Sequence, residues 1–182
     1  RDLSCTIESS AITLANPAKD HYDFAGWSGT DINGLSKNVT IPAHGCTKDF
    51  TFTANWLYTV IFKSNGGTGD DIEQVIGYNV TTELRANTFS RTGYTFEGWS
   101  TKSDGENGTS YSNRQSVKNL GNITFYAQWK AKKATVTIRN GNGTVSQDHD
   151  YGSEVNIEAS DRVGYSFTRW NVSPSNTINE DL

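Results

Sequence analysis

One short pattern occurs three times along this chain. Tyr22-Asp23-Phe24-Ala25-Gly26-Trp27 returns as Tyr94-Thr95-Phe96-Glu97-Gly98-Trp99 and again as Tyr165-Ser166-Phe167-Thr168-Arg169-Trp170. Two copies close alike, with Phe52-Thr53-Ala54-Asn55-Trp56 and Phe125-Tyr126-Ala127-Gln128-Trp129, and the two Trp of a copy lie 29 residues apart in one case and 30 in the other. Self-similarity at a fixed period means an array of small folding units, each stabilised by its neighbours. The landmarks divide the chain into an N-terminally incomplete repeat (1–57), a complete repeat (58–130) and a C-terminally incomplete, divergent repeat (131–182). Arrays of this kind hold, space or bind more often than they catalyse.

Each unit is near the size below which a single core becomes marginal. Hydrophobic content is only 34% while aromatics reach 12%, so the cores are expected to rest on a few large rings, each burying ~150–250 Å². The candidates are Tyr22, Phe24, Trp27 and Trp56 in the first unit; Tyr94, Phe96, Trp99 and Trp129 in the second; and Tyr165, Phe167 and Trp170 in the third. Trp27, Trp99 and Trp170 are expected to pack on the aromatic pair two to five residues before them. The competing reading is a sugar-stacking platform of exposed Trp.

A net charge of −4 and a pI of 5.3 argue against a phosphate-binding surface. The densest basic spot, Lys132-Lys133, sits in what reads as a solvated junction, so no nucleic-acid partner is expected. No apolar run approaches the ~18–20 residues of a membrane helix, so no membrane insertion is expected within these residues. The absence of Met reads as a piece of a longer protein.

The middle unit shows its elements most fully. Tyr58 to Lys63 is rich in β-branched and aromatic residues, Ser64 to Gly69 is a turn, and Ile72 to Tyr78 can return as a strand. Thr82 to Asn87 predicts a short helical turn from Glu83, Leu84, Arg85 and Ala86. Tyr94, Phe96 and Gly98 alternate with their neighbours at the period of a half-buried strand, and Ile123 to Trp129 closes the unit. The first unit has no counterpart of the Tyr58 strand, and the third none of the closing strand. The linkers are short and free of proline runs, which predicts a semi-rigid string.

The middle unit resembles the Listeria–Bacteroides repeat, the family that includes the B repeat of internalin-type surface proteins. The residues that carry this are Val60-x-Phe62-x-x-Asn65-Gly66-Gly67, Phe89-x-Arg91-x-Gly93-Tyr94-x-Phe96-x-Gly98-Trp99, Tyr111 and Phe125-Tyr126-Ala127-x-Trp129. The first unit is similar through Phe24 to Asp31 and Val39-Thr40-Ile41-Pro42. The third resembles the divergent form, with Arg169 in place of Gly26 and Gly98. The resemblance implies mainly β, β-grasp-like (α+β) modules in tandem in an elongated array on bacterial secreted or cell-surface proteins. It implies no catalytic residues and no cofactor; such modules serve as spacers and sometimes contact host or matrix ligands.

Cys5 and Cys46 both fall in the first unit, without equivalents in the other two. A pair confined to one fold is what a structural disulfide needs, and a secreted setting favours it; two unrelated thiols is the alternative. A catalytic thiol would want a nearby base, and His44, two residues before Cys46, is weak support. His21, His44 and His149 show no metal-ligand spacing. Asp70-Asp71 and Asp104 to Gly108 lack the terminal bidentate Glu of a calcium loop and read as turns. Asn65-Gly66-Gly67 and Asn140 to Gly143 lack the Lys-Ser/Thr of a phosphate loop. The expectation is therefore a non-enzymatic stretch of repeats acting as spacer, stalk or adhesion module. The alternative is a ligand-binding module for a carbohydrate or a host or matrix protein.

Overall fold

The computed structural model describes residues 5–140, 143–158, 161 and 163–169. In chain order its strands are β1 (Ile12–Thr13), β2 (Asp23–Gly29), β3 (Thr40–Ile41), β4 (Phe52–Lys63), β5 (Ile72–Gly77), β6 (Thr82–Glu83), β7 (Tyr94–Ser100), β8 (Ser110–Tyr111), β9 (Ser116–Val117), β10 (Ile123–Ala131), β11 (Lys133–Asn140) and β12 (Gly143–Asp150). There is no helix among the described residues. The chain falls into two units, Arg1–Ser90 with Glu97–Gln128, and Arg91–Phe96 with Trp129–Leu182.

The first unit is organised by β4. Its C-terminal half alternates as the pleat requires, with Tyr58, Val60 and Phe62 buried and Thr59, Ile61 and Lys63 half-buried. β5 returns antiparallel on it from Leu57↔Gly77 to Phe62↔Ile72. The connecting turn holds Asn65 at φ 49° and Gly66 at φ 85°, the two positive values that match a hairpin to strand twist. β10 then pairs parallel to the same strand, Ile123↔Val60 to Tyr126↔Lys63, and such a pairing requires the long crossover that residues 78–122 supply. The sheet order is β2-β4-β10-β7-β8, with β5 also on β4.

Phe62 centres the core of the middle repeat, its ring centroid 4.8 Å from Trp99 and 5.8 Å from Phe125. Phe89 lies 6.0 Å from Trp99 and Tyr111 4.7 Å from Phe125. Val60, Ile76, Leu84, Val117 and Ala127 complete it, all buried. The described ring partners of Trp99 therefore come from β4 and from the segment before β7, not from the aromatic pair just ahead of it.

The helical turn expected at Thr82–Asn87 is corrected to a strand. β6 pairs with β9 through Thr82↔Val117 and Glu83↔Ser116. The Leu84 amide donates to the Gln115 carbonyl at 3.0 Å, and the Arg85 amide donates to Gln74 Oε1 at 3.0 Å. With those donors taken across the fold, helix propensity in four residues has nothing to act on. The α+β, β-grasp-like expectation is corrected with it, to a mainly β fold.

In the first repeat, β2 runs antiparallel to the N-terminal half of β4, with a register shift between Phe24 and Gly26. Gly26 sits at φ 144° there. This bulge brings Phe24 within 5.5 Å of Trp27, and Phe24 also lies 5.6 Å from Trp56. β1 and β3 pair through Ile12↔Ile41. In the second unit, β11 and β12 form a hairpin from Lys133↔Asp150 to Asn140↔Gly143.

Candidate functional site

No residue between Trp56 and Tyr58 serves as a linker, since β4 carries the closing segment of the first repeat and the opening segment of the second as one 12-residue strand. Around this strand the first repeat docks on the middle one. Tyr22 meets Tyr58 edge-on at 5.8 Å and Tyr78 at 5.4 Å. Its hydroxyl donates to the Asn119 carbonyl at 3.0 Å. The Lys19 ammonium stands 3.4 Å from the Tyr78 ring centroid and 4.4 Å from that of Tyr22, a cation–π arrangement worth about 0.5–2 kcal/mol.

Asparagine side chains seal the joint. Asn119 Oδ1 accepts from the Asn79 amide at 2.6 Å, and its Nδ2 donates to Asn79 Oδ1 at 2.9 Å. Asn122 Oδ1 accepts from the Thr59 amide at 2.7 Å, while its own amide donates to the His21 carbonyl at 2.6 Å. Tyr58 is buried beneath them, and its hydroxyl makes no hydrogen bond of ordinary geometry. Burial pushes its phenol above the ordinary value, opposed by the backbone amides of Leu120 and Asn119.

The second unit repeats this arrangement. Arg91 lies over the Tyr94 ring at 3.9 Å, three residues before it, as Lys19 is three before Tyr22. Tyr94 meets Tyr151 edge-on at 5.8 Å, as Tyr22 meets Tyr78. The Lys132 amide donates to the Gly93 carbonyl at 2.9 Å. A Cβ on Gly93, at φ +77°, would come within 2.2 Å of the Tyr151 ring, so only glycine permits this approach. Arg162 and Tyr165 keep the same spacing in the third copy; Arg162 lies outside the described residues.

The expected core residues divide sharply. Trp99 is 1% exposed. Tyr22, Phe24, Trp27, Trp56, Tyr94, Phe96 and Trp129 are half-buried; in the second unit Phe96 and Trp129 meet edge-on at 5.7 Å. Tyr165 and Phe167 are 68% and 58% exposed and form no core, and Trp170 lies outside the described residues. The reason is local: no strand forms at 163–169, where Arg169 stands in place of the glycine that takes φ 144° or 152° in the other copies. A side chain is strained at such a φ.

Cys5 and Cys46 are joined, with an S–S distance of 2.09 Å and Cα atoms 6.0 Å apart. The sulfur beside His44 is therefore no nucleophile, and His44 Nδ1 instead hydrogen-bonds the Ile7 carbonyl at 2.8 Å. Asp71 ion-pairs with Lys63 at 2.6 Å and raises that ammonium's pKa through the hydrogen bond and its charge. Asp104 Oδ1 accepts from the Glu106 amide at 3.0 Å, as in a turn. Asn65 does more than turn the chain: its Nδ2 donates to the carbonyls of Ser103 and Ala127 at 2.7 and 2.8 Å. No group of three or more His, Cys, Asp or Glu that could hold a metal ion occurs among the described residues. No described helix is long and apolar enough to cross a membrane.

A cavity of about 330 Å³ opens in the first repeat, lined by Ile32, Val39, Ile41, Pro42, Phe50 and Phe52 among others. Lys48 and Asp31 ion-pair at 2.8 Å beside it.

Small β modules that share a strand and meet through ring-on-ring joints define a tandem structural repeat. The chain belongs to the Listeria-Bacteroides repeat domain family, whose model matches residues 3–55 and 58–128, and the model of the divergent InlB B-repeat domain matches residues 134–182. It is similar to two proteins of Evansella cellulosilytica. One, named as a membrane protein, is 27% identical over 161 residues, covering 85% of this chain and 23% of the relative. The other, named as a Gly-rich membrane protein, is 30% identical over 162 residues, covering 84% and 18%. The chain thus spans under a quarter of the length of either. No solved structure matches it.

Proposed function

We propose that this chain is a non-enzymatic spacer in a bacterial surface protein, holding another part of that protein at a set distance. Family repeats of this kind occur in bacterial surface proteins. The observation that carries the reading is β4, which passes from the first repeat into the second without a break. A continuous strand flanked by β2 on one half and by β5 and β10 on the other cannot bend at the junction without breaking ladder hydrogen bonds. A flexible linker would hinge freely there. The recurrence of the Lys/Arg–Tyr–Tyr joint in the second unit supports the same role. Rings engaged edge-on with other rings support packing over a sugar platform.

Small-angle scattering tests this. A spacer gives a radius of gyration well above the ~16 Å of one compact 182-residue domain, and four Gly/Ser residues inserted between Leu57 and Tyr58 broaden its distance distribution. A compact profile that the insertion leaves unchanged refutes the spacer. Specific retention of the chain by a glycan array would move the ligand-binding reading ahead of it.

A further inference from the structure

The first and middle repeats differ at one edge of their closing strands. In the middle repeat, Ile123 to Tyr126 of β10 pair in parallel with Val60 to Lys63, and the hairpin so docked places Phe62 against Trp99 and Phe125. By the matching Phe-x-Ala-x-Trp motifs, the equivalent segment of the first repeat is Phe50 to Thr53. One edge of Phe52–Asn55 pairs with β2. Among the described residues no strand pairs with the other edge before Leu57, where β5 ends.

The direction of the backbone groups follows from their neighbours. Thr51 spends both of its groups on the β2 side, its carbonyl accepting from the Thr30 amide and its amide donating to Thr30 Oγ1, each at 3.0 Å. Strand alternation then turns Phe52 and Ala54 to the opposite edge. Trp56, two further on, accepts there from the Tyr78 amide at 2.9 Å. The cavity beside Phe50 and Phe52 is floored by Val39 and Ile41, which are buried. Ile41 holds the place of Val117, since Thr13↔Thr40 and Glu83↔Ser116 are matching pairs. Phe52 and Trp27 are only half-buried, whereas their counterparts Phe125 and Trp99 are 0% and 1% exposed. What buries those counterparts is Phe62 and its hairpin.

We propose that this edge and cavity form an acceptor site for a β-hairpin of the Tyr58–Gly77 kind, docked with its first strand parallel to Phe50–Thr53 and an aromatic side chain in the cavity. The recognition is strand addition: backbone hydrogen bonds supply affinity, and the pocket selects an apolar–x–aromatic alternation such as Val60-Ile61-Phe62. An acidic or glycine-rich strand would leave the cavity unfilled. The proposal concerns a binding surface and is independent of the spacer reading.

The test adds a synthetic peptide of residues 58–77 to the intact, oxidised chain and follows amide exchange by NMR. Saturable 1:1 binding is expected, with new protection at the Phe52 and Ala54 amides and shifts at Ile41. The Phe62→Ala peptide should bind about 100-fold more weakly or not at all, because burying the ring is the dominant gain; placing the change in the peptide leaves the protein's own fold untouched. Absence of binding, equal binding of both peptides, or protection of this edge by self-association that the peptide does not displace would each overturn the proposal.

Discussion

Trp99→Ala measures how far one repeat's core supports its neighbour. Trp99 is 1% exposed, and its ring is enclosed by Phe62 and Phe89. Truncation removes the transfer energy of an indole and leaves a cavity between rings fixed by β4 and the segment before β7, for a cost of about 3–5 kcal/mol. The first unit, of roughly 120 residues, has about 6–18 kcal/mol to lose. A 4 kcal/mol loss lowers its urea midpoint by roughly 2 M if the slope is about 2 kcal/mol/M. Since Phe62 lies on the strand that also carries Phe52 to Trp56, loosening the middle core should lower amide protection in β2 of the first repeat as well. The assay is urea unfolding of the whole chain, with hydrogen exchange read separately in β2 and β5. A cost below about 1 kcal/mol would refute the core placement. Normal protection in β2 with lost protection in β5 would refute coupling through β4.

Three further outcomes follow from the geometry. Native protein should show no thiol to a titrating reagent, and reduction should destabilise the first unit by about 3–4 kcal/mol, the chain-entropy value for a loop of this length; two titratable thiols would contradict the Cys5–Cys46 bond. Burial raises the Tyr58 phenol's pKa in the fold, so the unfolded chain loses that proton first, near pH 10. Its contribution is full below that pH and drains away as pH rises towards the folded value, so Tyr58→Phe should flatten alkaline unfolding curves, and an unchanged slope would refute this. A double-mutant cycle on Lys19→Ala and Tyr78→Ala should give a coupling of about 0.5–2 kcal/mol in thermal or urea unfolding; zero coupling would mean that the ammonium and ring are merely neighbours.

The strands were legible wherever a local pattern set them. Tyr58 to Lys63, the Asn65-Gly66 turn and the return strand all carry alternation or turn chemistry in their own residues. The sequence misled where the partner was distant. Glu83 to Ala86 favour a helix locally, yet Gln115 and Gln74 capture their amides. The Trp motifs suggested that each Trp packs on its own preceding pair, and for Trp27 and Phe24 a bulge brings this about. For Trp99 the partners are Phe62 and Phe89, 37 and 10 residues away in sequence. The asparagines of the joint left no signal: Asn119 and Asn122 look like loop polar residues until the first repeat is placed on them. Lys19 and Arg91 did leave one, a cation three residues before the motif Tyr in two copies.

The departure at Arg169 shows why the period of the motif and the fold it encodes can part company. Gly26 and Gly98 occupy a φ open to glycine, and their backbones pass close to neighbours: a Cβ on Gly98 would lie 2.8 Å from the Tyr111 carbonyl, and one on Gly26 3.1 Å from the Ser36 amide. The bulge they permit lets the motif strand pair on one side with the closing strand and on the other with the short strand or bridge that follows. Arg169 can make neither the turn nor the close approach, so a third copy with the right rings at the right spacing leaves Tyr165 and Phe167 in solvent. Gly98→Arg should reproduce that outcome in the middle repeat. The strain at φ 152° and the clash with Tyr111 add together, and the loss should equal or exceed that of Trp99→Ala, because the strand carrying Trp99 would itself detach. Proteolytic cleavage of the motif loop and exchange at β8 would report the detachment. A variant that keeps wild-type protection at β8 would show that the glycine is dispensable, and the divergence of the third copy would then need another cause.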